Sequence, residues 1–593
     1  MVEEPRLFKA GFFNPSRQKH IFIRSLTPPY RVRLALAMRV QGEFTDEQKT
    51  RLAPFFTNLE REVFGLKLPQ EVAGALFSRY SRSSKSLRRI FLEEFLGSTE
   101  FALGEILGSH RLEEQQDTQA IEKARQFYDR VLVGYGDDSV AQLGGAHIAC
   151  ENISNVAAKI VEDARIGIAP LEKSTRYVRY DQRDRTGEYA FYKEPAIMQS
   201  SHAKAYLELM SLLFESYAHQ MEPMIEFVKN NLPITEVEFR HPRTGEPLTF
   251  REIAGNPELK TWAEKAYRST IRAQACDVLR SYLPAATRTN VGLFGVGQAF
   301  EHLLTKLYSQ ELAEARALAL ALHQELNQLI PSFVKRAGVN PYLKETWRSV
   351  RALTQKLFGS VPVEGNDAVI LVDYEEDAEE KLIAAILYPH TGHPLTQIRQ
   401  AVLSLSPVER RNIVDEYISR RRHRRDKPGR ALEQVYYTFD ILGNLGMYRD
   451  LQRHRMLTQE RQDFTVVHGY DTPEEIIEAG FRPAYDQCMD AAARMYHKIY
   501  PELPLEAQYV VPLAYRVRWS IKLNLREAIH IGELRTMPQG HPDYRAIVQE
   551  MWRKIEKVHP TLAYCAKFLD WKTYRLGRLQ SEIRTEYKRS SLT

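Results

Sequence analysis

Long stretches of this chain repeat their apolar residues every three or four positions. Glu311 to Ile330 (ELAEARALALALHQELNQLI) sets alanines and leucines at that interval with charged residues between them, the pattern of a half-buried helix. Ala203 to Val228 and Tyr544 to Val558 carry the same period and predict two more helices. Strand-like runs are fewer. Val369 to Tyr374 (VILVDY) and Gln434 to Ile441 (QVYYTFDI) are the best, being rich in β-branched and aromatic residues. The expected fold class is α+β and helix-rich.

Turn formers interrupt these patterns near the middle. Gly338-Val339-Asn340-Pro341 ends a helical stretch, and GSVPVEGND, from Gly359 to Asp367, is dense in Gly, Pro and Asp. The halves on either side share an order of features: a polar turn, a strand-like segment, a helix running into a charged motif, then a Leu-Pro or Val-Pro expected to lead into a helix. In the first half these are Gly134 to Cys150, Ser174 to Tyr177 and Leu283-Pro284. In the second they are Gly429 to Ile441, Arg453 to Glu460 and Val511-Pro512. Features repeated in one order point to a duplication. The expected organisation is an N-terminal extension of unknown role over 1–65, a first copy over 66–335, a linker over 336–365 and a second copy over 366–593.

Composition narrows the function classes. A hydrophobic fraction of 44% with 27% charged residues is that of a globular protein. The net charge of +6 suits an anionic small ligand and does not demand a polynucleotide. The four cysteines, Cys150, Cys276, Cys488 and Cys565, have neither metal-ligand spacing nor a disulfide framework, so no metal is expected and a reducing cytoplasm is. The opening Met1-Val2-Glu3-Glu4-Pro5-Arg6 does not read as a secretory signal, and no run is apolar for long enough to span a bilayer.

Three motifs carry candidate chemistry. Arg453-His454-Arg455 concentrates forked guanidinium donors around an imidazole, suited to a pyrophosphate, although an isolated Arg-His-Arg is more often a solvated helix face. Glu172-Lys173-Ser174-Thr175-Arg176 sets a hydroxyl two residues before an arginine. That pair can hold a phosphate monoester while the carboxylate orients a sugar hydroxyl or a ring nitrogen. Arg518, Arg526 and Arg535 follow Val511-Pro512. On one continuous helix their spacing would turn successive side chains by about 80° and about 180°, so they would not share a face. A fourth run, Arg420 to Arg425 (RRRHRR), is the densest in charge. It reads either as a solvated helix face or as a nucleic-acid contact.

Together these motifs resemble the flavin-dependent thymidylate synthases, whose signature runs R-H-R-x-x-S-x-N-E-x-S-x-R. Arg453, His454, Arg455, Thr458 and Glu460 follow its first portion, with one residue missing before Glu460. Gln462, Asp463 and Phe464 replace its end. The first copy lacks the Arg-His-Arg but keeps Glu172, Ser174 and Arg176. Downstream, Arg518, Asn524, Arg526, Arg535 and His541 fall on the family's polar positions, and Glu433-Gln434 stands where it has Glu-His. In the first copy Gln142-Leu143 departs further.

The resemblance implies roles for these residues. Arg453, His454, Arg455, Glu433, Asn524, Arg526 and His541 would bind FAD. Glu172, Ser174, Arg176, Glu460, Arg518 and Arg535 would bind dUMP. The reaction would be reductive C5 methylation of dUMP to dTMP, with NADPH and methylenetetrahydrofolate as co-substrates and no protein nucleophile. Gln434 in place of the family His bears on the folate step. The family's homotetramers build sites between subunits, so a fused chain is expected to dimerise in imitation and to combine the two copies' complementary remnants, across chains or within one. Two other readings follow from the same residues: a flavoenzyme modifying uracil in RNA or DNA, and a non-catalytic paralogue that binds a nucleotide or flavin.

Overall fold

The computed structural model describes residues 43–68, 70–96, 142–241 and 244–590. Met1–Tyr128 and Asp129–Thr593 are two compact units. In the first, helices α1 (Asp46–Leu52), α2 (Gln70–Tyr80) and α3 (Leu87–Ile90) enclose Phe55, Phe56, Phe91 and Phe95. The guanidinium of Arg88 lies 3.6 Å from the centre of the Phe64 ring. Residues 1–42 of the expected extension, and 134–141 of the expected turn and strand from Gly134 to Cys150, lie outside the described residues.

Among the described residues the second unit holds two larger antiparallel sheets, beside a two-stranded ribbon that pairs Phe239–Arg240 with Pro247–Leu248. In chain order the first half supplies β1 (Gly145–Ser154), α4 (Asn155–Glu162), β2 (Ile168–Glu172), α5 (Ala203–Asn231), α6 (Pro257–Leu279), β3 (Arg288–Val296), α7 (Gly297–Ser309) and α8 (Ala313–Leu329). An exposed helix α9 (Pro341–Phe358) fills most of the expected linker, with none of its residues buried. The second half supplies β4 (Val369–Tyr374), β5 (Tyr436–Asn444), α10 (Leu445–Leu451), β6 (Leu457–Arg461), α11 (Arg482–Ile499), β7 (Arg516–Asn524), α12 (Leu525–Arg535), α13 (Pro542–Val558) and α14 (Leu579–Ser590). The sheet orders are β1-β3-β2 and β4-β5-β7-β6.

The repeat is plain in these orders. β3 and β7 sit at equivalent places and show the same alternation of buried and exposed residues. Val517, Trp519, Ile521 and Leu523 all point into the core. This period of two was legible in RVRWSIKLN, yet the sequence expectation put a helix there. Leu-Pro and Val-Pro therefore lead into strands first and helices second. The strand ends at Asn524, whose side chain caps α12 by accepting the Glu527 N–H at 2.9 Å. The helices that follow β1 and β5 are capped alike, by Ser154 on α4 and Asn444 on α10.

The two halves meet about an approximate two-fold. Pro284 and Pro512 face each other in an antiparallel bridge. Ala285 N–H donates to the Val511 carbonyl at 2.8 Å, and Leu513 N–H to the Leu283 carbonyl at 2.9 Å. Reciprocal bonds recur at the edge strands. Arg165 donates to the Leu457 carbonyl at 2.7 Å, and Arg455 to the Ile168 carbonyl at 3.1 Å. Such reciprocity is what an isologous contact between like subunits produces, here inside one chain.

Candidate functional site

Strand register aligns the two copies residue by residue. Glu172 ends β2 opposite Val291, and Arg461 ends β6 opposite Trp519. Val291 and Trp519 stand equally far beyond Pro284 and Pro512, so Glu172 corresponds to Arg461. This corrects the expected role of Glu460, which is exposed on β6 opposite Ser520 and faces none of the site.

Glu172 is buried and accepts hydrogen bonds from Lys159 at 3.0 Å and from Arg449 at 2.6 Å. Arg453 approaches it to 3.6 Å. Burial works against its charge, but Arg449, Lys159 and Arg453 prevail and hold the carboxyl down at about 2. Across the approximate two-fold the polarity is reversed: Arg461 reaches Asp163 at 3.5 Å.

Next to Glu172 lies an arginine cluster. Arg176 grips Asp277 with two hydrogen bonds of 2.7 and 2.8 Å, and Arg578 donates to the same carboxylate at 2.7 Å. The Ser174 hydroxyl accepts the Arg176 N–H at 3.3 Å. Asp450 lies 3.9 Å from both Arg453 and Arg535. Burial raises the Asp450 carboxyl, but Arg453, Arg280, Arg176 and Arg535 pull it below the usual carboxylate range. Arg280 is only 4% exposed, and its Nη2 has no partner. An unpaired buried guanidinium nitrogen is costly unless something fills the space it faces. Arg280 lies on the wall of a cavity of about 1080 Å3, lined also by Asp277, Asn444, Gly446 and His541 among others. Sequence reasoning missed Arg280, whose only signal was its place just before Leu283-Pro284.

The equivalent place in the other half is closed. Asn444, which donates to Asp543 at 2.7 Å beside the cavity, corresponds to Ser154. Ser154 is buried against Glu314, whose carboxylate also accepts the Tyr509 hydroxyl at 2.6 Å. Gln508 stands where the first half has Arg280, and its amide is spent on the Phe464 N–H and the Leu505 carbonyl. Phe464, which replaces the signature's end, is buried beneath Arg461.

The remaining expected residues separate into those near the cluster and those away from it. His454 is buried; its Nδ1 faces Glu527 at 3.0 Å, and its Nε2 accepts from Arg535 at 2.8 Å. Both ring nitrogens are engaged, so the expected direct contact with a cofactor has no free ring atom to use. Arg535 also lies 5.5 Å from the ring centre of Tyr544, whose hydroxyl accepts from Arg176 at 3.4 Å. His541 caps α13, and burial followed by the charge of Arg280 pushes its imidazole down to about 3. Arg518 is not in the cluster: it lies on β7 and pairs with Asp440 at 2.8 Å and the Gly365 carbonyl. Arg526 and Glu433 pair with each other at 2.7 Å. The expected basic run also breaks up. Arg421 is buried against Glu533, while Arg420 and Arg422 pair with Glu416 and Asp426. The expected meeting of the two copies' remnants needs no second chain, since Glu172 and Arg176 meet Arg453 and Tyr544 within one.

A family model described as "Thymidylate synthase complementing protein" matches residues 98–332 and again 370–561. A UPF0159 protein of Chlamydia pneumoniae is 39% identical over 556 residues, covering 92% of this chain and 99% of that one. A flavin-dependent thymidylate synthase of Geobacter sulfurreducens is 28% identical over 142 residues, covering 22% of this chain and 61% of that one. A solved flavin-dependent thymidylate synthase from Helicobacter pylori, complexed with FAD and dUMP, aligns with 34% of this chain and all of that one at 14% identity and a TM-score of 0.27. Among the described residues no helix is long and apolar enough to cross a membrane.

Proposed function

This chain belongs to the thymidylate synthase complementing protein family as a tandem of two synthase-like copies, and from that premise we propose that it is a flavin-dependent enzyme acting on dUMP. It builds one composite site per chain and carries out reductive C5 methylation to dTMP. NADPH is the reductant and methylenetetrahydrofolate the one-carbon donor. Two chains in a dimer would carry two such sites.

The observation that carries this reading is Arg280, a buried arginine on the wall of the cavity whose Nη2 has no hydrogen-bond partner among the described residues. Arg176, Arg280, Arg453 and Arg535 all pull on the one carboxylate of Asp450, a gathering of forked donors of the kind that grips a phosphate monoester. A mononucleotide carries such a group at its end, and a polynucleotide carries diesters along its length. The pairing of Arg421 with Glu533 points the same way.

The donors also fit an anionic cofactor. Arg453 has an unpartnered Nε and holds Glu172 and Asp450 only at 3.6 and 3.9 Å. Arg455 spends one nitrogen on a carbonyl and is otherwise exposed. These two residues would hold the FAD pyrophosphate. Bound flavin would supply the hydride for the methylation. The protein's own part is to grip the phosphate with Arg176 and Arg280, to fix the Arg535 guanidinium, and to keep the site's carboxylates charged.

The test is direct. Purified protein loaded with FAD and freed of excess flavin should keep about one flavin per chain and oxidise NADPH only with dUMP and the folate present. A protein that stays colourless and binds no dUMP would overturn the reading. The second reading, a non-catalytic nucleotide-binding paralogue, is favoured by one observation: Arg176 already spends its fork on Asp277. dUMP binding without turnover would select it.

A further inference from the structure

His454 sits between two residues of one helix that cannot touch each other. Glu527 and Arg535 lie at opposite ends of α12, about two turns apart. The imidazole spans them, with Nδ1 3.0 Å from Glu527 Oε1 and Nε2 2.8 Å from Arg535 Nε. The guanidinium can only donate, so Nε2 must be the accepting nitrogen. In a neutral ring the proton then sits on Nδ1 and is donated to Glu527. The tautomer is fixed by its neighbours.

We propose that Glu527 and His454 form a strut that fixes Arg535 in place beside the arginine cluster, making His454 a positioning residue and not a cofactor ligand. The proposal rests on the reading of Arg535 as a dUMP-facing residue.

Three observations support the strut. First, the imidazole is neutral: burial, then the charge of Arg535, outweighs Asp450 and drives it well below the ordinary histidine value. A charged ring could not accept from Arg535. Second, Glu527 is anchored by its own backbone, since its N–H is held by the Asn524 cap at 2.9 Å. Third, Arg535 also lies 3.9 Å from Asp450 and 5.5 Å from the centre of the Tyr544 ring, two further contacts that restrict its guanidinium. The other groups beside the imidazole are His530, 5.6 Å away ring to ring, and Lys427, whose ammonium lies 3.0 Å from His530 Nδ1.

The same three side chains, His454, Glu527 and His530, bring ligand atoms within 4.8 Å of one another, a spacing a metal ion could use. The hydrogen bonds argue against that use. His454 has a proton on one nitrogen and a donor on the other, and the Lys427 ammonium takes Nδ1 of His530.

The experiment has two arms on the full-length chain. In the first, nitrogen-15 histidine NMR assigns His454 by comparison with His454→Gln and follows it from pH 5.5 to 8. The expected result is a neutral Nδ1–H ring throughout. An Nε2–H ring, or protonation within that range, would overturn the strut. In the second, dUMP affinity and FAD retention are measured for wild type, Glu527→Gln and His454→Gln. Both variants should weaken dUMP on the order of tenfold, and Glu527→Gln should retain FAD. Loss of FAD from His454→Gln with dUMP affinity unchanged would make His454 a cofactor ligand and overturn the proposal. If wild type itself binds no dUMP, the proposed function fails, and the NMR arm alone decides the strut.

Discussion

Arg449, on α10 of the second copy, donates a 2.6 Å hydrogen bond to Glu172, at the end of β2 in the first. Both side chains are buried. The two copies are therefore joined through their interior, in a contact whose removal would strand a charge. Replacing Arg449 by Ala should cost about 3–5 kcal/mol, because Glu172 then stays buried with only Lys159, already shared with Glu162, and the more distant Arg453 as partners. Urea denaturation of the full chain measures this. A cost under about 1 kcal/mol would show that Glu172 simply takes up a proton or a water.

The same contacts predict cooperativity. The Pro284–Pro512 bridge and the Arg449–Glu172 pair cross between the copies, so neither sheet can be exposed without losing them. Trp519 fluorescence, reporting the second sheet, and amide exchange at Val291, reporting the first, should share one urea midpoint. Two separated midpoints would mean that the copies unfold independently.

Arg280 and its counterpart Gln508 make a natural exchange. Arg280→Gln installs in the open half the residue that the closed half carries. Binding of dUMP should weaken by roughly tenfold or more, since a charged donor to phosphate is lost. Stability should change little, because the burial cost of the guanidinium is removed together with its attraction for Asp277 and Asp450. Isothermal titration with dUMP, beside a thermal melt, separates the two effects. Unchanged affinity would place the phosphate elsewhere.

Glu194 gives a pH-dependent prediction. It is fully buried, and burial followed by the charges of Glu314 and Glu506 pushes its carboxyl up to about 7. The folded chain therefore holds a proton that the unfolded chain has already released. This contribution is complete below the ordinary glutamate range and is lost as pH rises through 7. Glu194→Gln should remove that slope. The variant should gain up to about 3 kcal/mol relative to wild type between pH 4.5 and pH 8. Urea midpoints at the two pH values measure it, and parallel behaviour of the two proteins would refute the assignment.

Gly532 tests the packing beneath the arginine cluster. A Cβ there would lie 2.2 Å from Nε1 of Trp552, so α12 can approach α13 only without a side chain at this position. Gly532→Ala should destabilise by about 1–3 kcal/mol through overpacking, despite the better helix propensity of alanine. It should also weaken dUMP by shifting Arg535. Melting temperature and dUMP affinity, measured together, check both effects.

The sequence by itself determined the long helices, the strand at Val369–Tyr374, a second strand read at Gln434 to Ile441 and found at Tyr436–Asn444, the duplication and the motif residues. These are local properties: a period of residues, a proline, a cluster of guanidiniums. It also held the alternation of β7, though a short strand running straight into a helix carries little periodic signal. Three things were settled only by tertiary structure. Register decided that Arg461, and not Glu460, answers to Glu172, since pairing along a strand depends on the partner strand. Packing spent Arg518 and Arg526 on Asp440 and Glu433, because a buried or half-buried guanidinium takes the nearest carboxylate whatever motif it belongs to. And the approximate two-fold brought Arg176, Arg280, Arg453 and Arg535 around one carboxylate, a gathering of residues far apart in the chain that only the fold can produce.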